Sequence, residues 1–405
     1  MTHECCKLGK TRNIRKKDAM RPTFTEIRSR FEAERQAAGQ LRTASDLPRS
    51  YEEISPEWLT RVLADNHPGA KVVSHSLGEP DEGTSSRRRI FVDWNEAGKR
   101  AGLLASVFCK GTQRLESRYL LGMNGGIEAE VTFYNVVRGG LAIEAPRPLF
   151  ARFDPQTFNS IIILEDLTAR VEFGKHAMKM PLERAESQMR LLAALHSKYY
   201  ESPELVSTLS RFNDWEDYFA ITVEEAGFGE ACRRGFEEAE AVIPPALFRR
   251  AREIWPATLK SVARHRELPR TFLHSDPHLK NWYVSAGGDM GLNDWQCACK
   301  GNWGRDVSYA ITTSLTTENR RAWEQDLLRL YLESLAPAGA PKVRFDDAWT
   351  IYRQQTFSAL AWWTGTLGQP PDAPIMQPRE SSIEFIGRMT RAIDDLDALR
   401  SFSAK

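Results

Sequence analysis

Between Phe272 and Asp294 the chain crowds six polar residues, His274, Asp276, His278, Lys280, Asn281 and Asp294, among bulky apolar neighbours. Polar groups in such segments cost free energy unless they are hydrogen-bonded or put to chemical use. The runs NWYV (281–284) and MGLN (290–293), joined by SAGGD, have the length and glycine content of a β-hairpin. A hairpin returns the chain to its own start, which sets Asn281 and Asp294 side by side at the open end. One amide oxygen and one carboxylate converging there are hard donors of the kind Mg²⁺ accepts alongside phosphate oxygens and water. Asp276, five residues before Asn281 in a turn forced by Pro277, can point at the same place as a base. Taken singly, each residue has an ordinary reading: Asp-Pro opens turns, Asn281 begins a strand and Asp294 caps a turn. The combined spacing is what favours a site.

The loop HSDPHLKN resembles the H-G-D-x-x-x-x-N loop of the aminoglycoside phosphotransferase, choline kinase and ecdysteroid-kinase-like families, small-molecule relatives of protein kinases. LNDWQ resembles their metal-binding Asp segment, in a form nearest the ecdysteroid-kinase-like members, and GRDVSYAI resembles the helix start that often follows. Ser275 stands where many members have glycine, and the likeness spans residues 70–370. It implies an α+β, bilobal protein-kinase-like fold with a small β-rich N-lobe and a larger, mainly helical C-lobe. It also implies ATP as phosphoryl donor and Mg²⁺ as cofactor. On that template Asp276 is the catalytic residue that accepts or orients the proton of a substrate hydroxyl, while Asn281 and Asp294 hold Mg²⁺. His274 braces the loop, and Asp306 makes structural hydrogen bonds or caps a helix beginning near Val307. His278 and Lys280 receive no role.

Such a site needs a cation for the nucleotide phosphates and a partner to orient it. Lys110, ending the strand-like run LLASVFCK, fits the cation. Glu128 and Glu130 lie two apart on the next helical run, so only one can face the lysine. The context EVTFYN resembles the families' E-x-x-F-Y helix, which selects Glu130. Gly83, Thr84 and Ser85 occupy the place of a nucleotide-covering loop between two strands, where backbone N–H groups can meet phosphate. IIILEDLT resembles the hinge between lobes, with main-chain groups of Glu165, Asp166 and Leu167 against the adenine edge. His196 matches a recurrent L-x-x-L-H helix and reads as core.

These residues need elements to carry them. AKVVSHSL, RRRIFVDW, LLASVFCKGT and NSIIILEDL read as strands and GIEAEVTFYNVVRG as a helix. Ser55 before Pro56 and Glu57 signals a helix start, and residues 23–45 read as a polar helix outside any core. Met189, Leu192, Leu195 and Tyr199 recur at helical steps. Further helical patterns run through 215–239, 246–265, 318–336, 346–367 and 382–400. The chain thus divides into an N-terminal extension (1–55), an N-lobe covering the nucleotide (56–168) and a C-lobe with catalytic loop and acceptor pocket (169–405).

Composition narrows the function classes. Over 405 residues, 55 Lys and Arg balance 54 Asp and Glu, so no global field draws the protein to nucleic acid or membrane. Six cysteines, at 5, 6, 109, 232, 297 and 299, are too sparse for a disulfide framework and fit a reducing cytoplasm. The Cys297-Ala298-Cys299 run reads as buried thiols, not a metal site. No apolar run reaches membrane-spanning length. The basic start lacks a secretory apolar centre and reads as a tail, with Met20 an alternative beginning. Nine of eleven tryptophans fall at or after Trp215, which suits a hydroxylated, partly apolar acceptor better than a polycation. The expectation is an ATP- and Mg²⁺-dependent kinase acting on a small-molecule hydroxyl. A protein kinase is disfavoured by the lack of His-Arg-Asp and Ala-Pro-Glu segments. The alternative is a catalytically inactive protein of this type that binds a nucleotide or small ligand.

Overall fold

In SRRRIFVDW every second residue from Ile90 to Trp94 is apolar and buried, the period of a strand with one face on a core. The computed structural model describes residues 22–37, 41–335, 342–371 and 376–403. That strand belongs to a six-stranded antiparallel sheet of β1 (Val72–Leu77), β2 (Asp81–Glu82), β3 (Ser86–Trp94), β4 (Ser106–Gly111), β5 (Pro148–Phe153) and β6 (Ser160–Glu165). The spatial order is β1-β3-β4-β6-β5, with β2 beside β3. One face buries Ile90, Val92, Val107, Cys109, Ile161 and Ile163 against Trp58, Leu59 and Val62 of helix α2, which follows α1 (Phe24–Gln36) and spans Pro56–Leu63. Trp58 N–H donates to Ser55 Oγ at 3.2 Å, the cap the sequence signals. The other face carries Lys110 and Ile162 toward the rest of the molecule.

Helix α3 (Glu96–Arg100) turns β3 into β4, and α4 (Leu115–Met123) and α5 (Gly126–Thr132) connect β4 to β5. The larger, helical part comprises α6 (Leu182–Tyr199), α7 (Trp215–Ala226), α8 (Phe228–Glu238), α9 (Pro245–Phe248), α10 (Ala251–Ala263), α11 (Gly304–Ser314), α12 (Thr317–Leu335), α13 (Phe345–Leu367) and α14 (Arg379–Asp395). All of α11 is buried, and α13, buried over most of its length, is the post on which α8, α10, α11 and α14 pack. Three short strand pairs lie within it. β8 (Thr271–Leu273) pairs with β11 (Cys299–Gly301), while β9 (Trp282–Val284) and β10 (Met290–Leu292) form the expected hairpin, extended by β7 (Glu172–Phe173). The α+β organisation is the expected one.

Several details differ from the pattern reading. Helix α1 ends at Gln36 and is not outside a core, because Ile27 is buried with Leu121, Ile127 and Phe158. The helical run 215–239 breaks at Gly227, whose φ of 57° lies in the left-handed region glycine enters freely. The run 246–265 resolves into α9 and α10. The helix through Glu130 relaxes after Thr132 into one wide π turn, Phe133–Val137. β5 and α4 went unread, since Pro148 and Arg152 blur the strand period and the short helix has little amphipathicity. The tail, Met20 and Cys5-Cys6 lie outside the described residues. Cys109, Cys232, Cys297 and Cys299 are free and buried.

Candidate active site

The loop 274–281 leaves β8 under tight control. His274 N–H and Ser275 N–H donate to the two carboxylate oxygens of Asp306, each at 2.8 Å. Asp306 in turn meets His196 Nε2 at 3.2 Å, and His196 Nδ1 meets the Tyr331 hydroxyl at 2.8 Å. Asp306 therefore holds loop backbone; α11 begins at Gly304, before it. Ser275 has a φ of 69°, which explains why glycine suits this position. Its hydroxyl accepts from Arg305 Nε at 2.9 Å. His274 Nε2–H donates to Asn293 O at 2.9 Å, which leaves Nδ1 to accept from Asp276 N–H at 3.2 Å. Burial holds the imidazole below its usual pKa, against the nearby Asp306 charge, so it stays neutral and braces the loop to the hairpin.

At the hairpin's open end Asn293 N–H donates to Asn281 O at 2.9 Å, so the neighbours of Asp294 and Asn281 itself are joined. Asn281 Nδ2 donates to Asp276 O at 2.8 Å, which turns its amide oxygen the other way. Asp294 takes a left-handed φ of 63°, one that Asp tolerates better than most residues. Its Oδ1 receives Lys110 Nζ at 2.7 Å, and the same ammonium reaches Glu130 at 2.9 Å. Glu128 instead lies at the surface, 3.7 Å from Arg211. Burial opposes the charge on Lys110, but Asp294 and Glu130 outweigh it and hold its pKa above the usual value. Burial likewise pushes Asp294 up, and Lys110 more than reverses it. Glu130 ends above the usual carboxylate range, burial prevailing over Lys110. Phe133 stacks on Trp295 with ring centroids 3.7 Å apart, which ties this helix to the Asp294 segment.

One carboxylate and one amide oxygen are too few to hold Mg²⁺ alone. They match a cation completed by phosphate and water oxygens, and no cluster of three or more His, Cys, Asp or Glu occurs among the described residues. The covering loop is engaged differently from the sequence expectation. Gly83 N–H donates to Ser85 O at 3.1 Å and Gly78 N–H to Arg89 O at 2.8 Å, so these N–H groups are not free for phosphate. Ser85 is buried. Thr84 reaches over to the cavity that Asp276 lines. At the hinge, Glu165 N–H donates to Arg147 O, Leu167 O accepts from Arg170 N–H, and Asp166 is pinned to Ser106 and Thr168 N–H.

Arg87 escaped the sequence reading. It stands opposite Lys110 in the β3–β4 register, hence on the same face. Its guanidinium lies beneath the covering loop: a Cβ on Gly83 would come within 2.9 Å of Arg87 Nη2. Asp81 holds it at 3.0 Å, while its Nε is buried without a partner. Burial pushes the Asp294 pKa up, and the charge of Arg87 adds to that of Lys110 in lowering it; burial lowers the Lys280 pKa, opposed by Glu380, and Arg87 lowers it further. Only the strand register reveals this neighbour.

A family model described as the phosphotransferase enzyme family matches residues 125–345, more than half of the chain. The chain belongs to that family. Among curated proteins, none matches the sequence. Similar solved structures include a spectinomycin phosphotransferase in complex with ADP and spectinomycin (13% identity, 85% of this chain and 99% of that one, TM-score 0.47). Others are an ethanolamine kinase from Plasmodium vivax (11%, 92% and 94%, 0.45) and a choline kinase from Streptococcus pneumoniae (12%, 83% and 98%, 0.45). The expected bilobal kinase-like fold is the one found. Among the described residues no helix is long and apolar enough to cross a membrane.

In this family member the floor beside Asp276 is aromatic. A cavity of about 180 Å³ is lined by Asp276, Tyr218, Phe228, Tyr309, Trp362 and Trp363, with Thr84 above. Asp276 Oδ2 lies 3.5 Å from His278 Nε2, and the Tyr309 hydroxyl is bonded to the same carboxylate.

Proposed function

We propose that the protein transfers the terminal phosphoryl group of ATP to a hydroxyl group of a small, partly apolar molecule, with Mg²⁺. The observation that carries this reading is Asp276. Its carboxylate opens on an aromatic cavity on one side, and its backbone is bonded on the other to Asn281, next to the Asp294–Lys110–Glu130 cluster. A bound divalent cation would neutralise phosphate charge from Asn281 and Asp294. The acceptor hydroxyl, held against Asp276, passes its proton to that carboxylate as its oxygen bonds the terminal phosphorus. The bond from that phosphorus to the bridging oxygen breaks, and ADP leaves with the electron pair. Lys110, oriented by Glu130, and Arg87 face the phosphates. On this reading residues 56–168 cover the nucleotide, with the 165–167 segment at the base, and residues 169–405 carry the loop and acceptor pocket. The four free buried thiols suit the cytoplasm.

Replacing Asp276 by Asn keeps the shape and removes the base. The Asp276→Asn protein is expected to bind Mg·ATP with near-normal affinity while losing about 10²–10⁴ in kcat. Asp294→Ala is expected to weaken Mg-dependent nucleotide binding itself. Calorimetry with and without Mg²⁺, beside an ADP-release assay, separates the two. Unaltered turnover in both variants would remove the assignment.

A further inference from the structure

The cavity beneath Thr84 carries a pattern of unanswered polar atoms, and the inference drawn from it rests on the acceptor reading above. Three residues of its wall each keep one polar atom buried with no hydrogen-bond partner, His278 Nδ1, Gln296 Oε1 and Trp363 Nε1, and beside them the Tyr309 hydroxyl is bonded to the Asp276 carboxylate. Native proteins rarely leave buried polar atoms in that state, and each such atom calls for a partner. Three around one cavity mark where a ligand's own groups complete the bonding. The set mixes an acceptor, the Gln296 amide oxygen, with a donor, the Trp363 indole N–H, beside one imidazole nitrogen of His278. A hydroxyl both donates and accepts, so a compound bearing more than one oxygen function answers the set. Between these atoms the wall is hydrocarbon, with Leu121, Phe228, Trp362 and Met376.

Charge excludes the commonest alternative. Asp276 is the one charged residue among the described residues lining the cavity. Behind the aromatic wall the fully buried Arg305 guanidinium stands 5.3 Å from the Trp362 ring centroid and 5.5 Å from that of Tyr309. Aromatic faces attract cations, but these two already serve a fixed positive charge that repels a second. An amine-rich or quaternary ammonium acceptor would find a single carboxylate and an opposing guanidinium. The cavity, at about 180 Å³, is also smaller than the roughly 300–1,000 Å³ of sites for drug-sized ligands.

We propose that the acceptor is a compact, uncharged molecule of one or two rings with at least two oxygen functions. One is a hydroxyl presented to Asp276, and a second is bonded by Gln296 and Trp363, while the hydrocarbon face lies on Phe228 and Trp362. Phosphorylation at the first converts it to a monoester and consumes its proton as described above.

The test uses the full chain with Mg·ATP and two acceptor panels: uncharged one- and two-ring diols and polyols, and cationic acceptors represented by choline and spectinomycin. Products are read as a gained phosphate by mass spectrometry, with nucleotide binding measured separately by calorimetry. The expected result is monoester from members of the uncharged panel and none from the cationic one. For the best acceptor, Gln296→Leu and Trp363→Phe each raise its KM about tenfold, the loss of one buried hydrogen bond, with the KM for ATP unchanged. Preferential turnover of choline or spectinomycin overturns the proposal and leaves the phosphotransferase reading standing. So does an unaltered acceptor KM in both variants, or normal ATP binding without product from any uncharged compound. Failure to bind Mg·ATP at all brings down the phosphotransferase reading, and this proposal with it.

Discussion

Arg87 and Asp81 form an exposed ion pair beneath the covering loop, with side chains 30% and 65% exposed. An exposed pair of this kind contributes little to stability, yet it occupies a cation that faces the same cleft as Lys110. Asp81 stands where a phosphate would compete for Arg87. Arg87→Gln should therefore weaken ATP binding by about tenfold, the worth of a charge-assisted hydrogen bond, and AMP binding far less. Asp81→Asn, by freeing the guanidinium, should tighten ATP binding. Calorimetric titrations of both variants with ATP and AMP check the pair of signs; a tighter-binding Arg87→Gln would contradict them. Within the covering loop Asp81 holds Arg87, and Glu82 holds Arg114 and Ser86.

At the scale of elements, the acceptor cavity depends on how closely α8 and α13 approach. A Cβ on Gly235 would lie 1.9 Å from Thr364 O, and one on Gly368 2.1 Å from Ala231 O. Backbone therefore meets backbone at this crossing, and Phe228 on α8 is brought against Trp362 on α13 at 5.0 Å between ring centroids. Gly235→Ala must separate the helices, at a cost of about 1–3 kcal/mol for overpacking. The expected outcome is a lowered Tm together with a raised acceptor KM, the ATP affinity holding, since the proposed nucleotide cleft lies on other elements. Thermal melts and steady-state kinetics on one preparation give both numbers.

For the whole molecule, acid should be more damaging than the balanced charge suggests, because histidines are buried neutral. His265 Nε2–H donates to Gln355 Oε1 at 2.9 Å and Nδ1 accepts Asn302 N–H at 2.9 Å, so a second proton has no place on the ring. Burial, opposed by the Gln355 bond, lowers its pKa to about 3, and burial lowers that of His274 as well. The unfolded chain, with histidines near about 6.5, binds more protons than the native one below that pH. Stability from these residues is thus complete above about 6.5 and is lost as pH falls toward the native values. Urea midpoints should decline between pH 7 and pH 5. His265→Asn, lacking the titrating ring, should be less stable at pH 7 and decline less steeply; an equal slope would refute the assignment.

What could be read in the sequence was what short separations control. Turn chemistry brings Asn281 and Asp294 together across a hairpin, Pro277 shapes the turn at Asp276, and helical periodicity separates Glu130 from Glu128. Family membership rests on the same local signals, which survive because few residues lie between the groups they join. Tertiary packing decided the rest. Lys110 meets Asp294 across 184 residues of chain, Arg87 reaches the cleft through strand register alone, and the cavity draws its walls from α4, α7, α8, α11 and α13. Ser275 shows both kinds of control: its left-handed backbone follows from the loop, but its hydroxyl's partner, Arg305, comes from a helix packed beneath. Periodicity assigns a buried aromatic to a face, and only the packing of helices determines whether that face meets another side chain or a ligand.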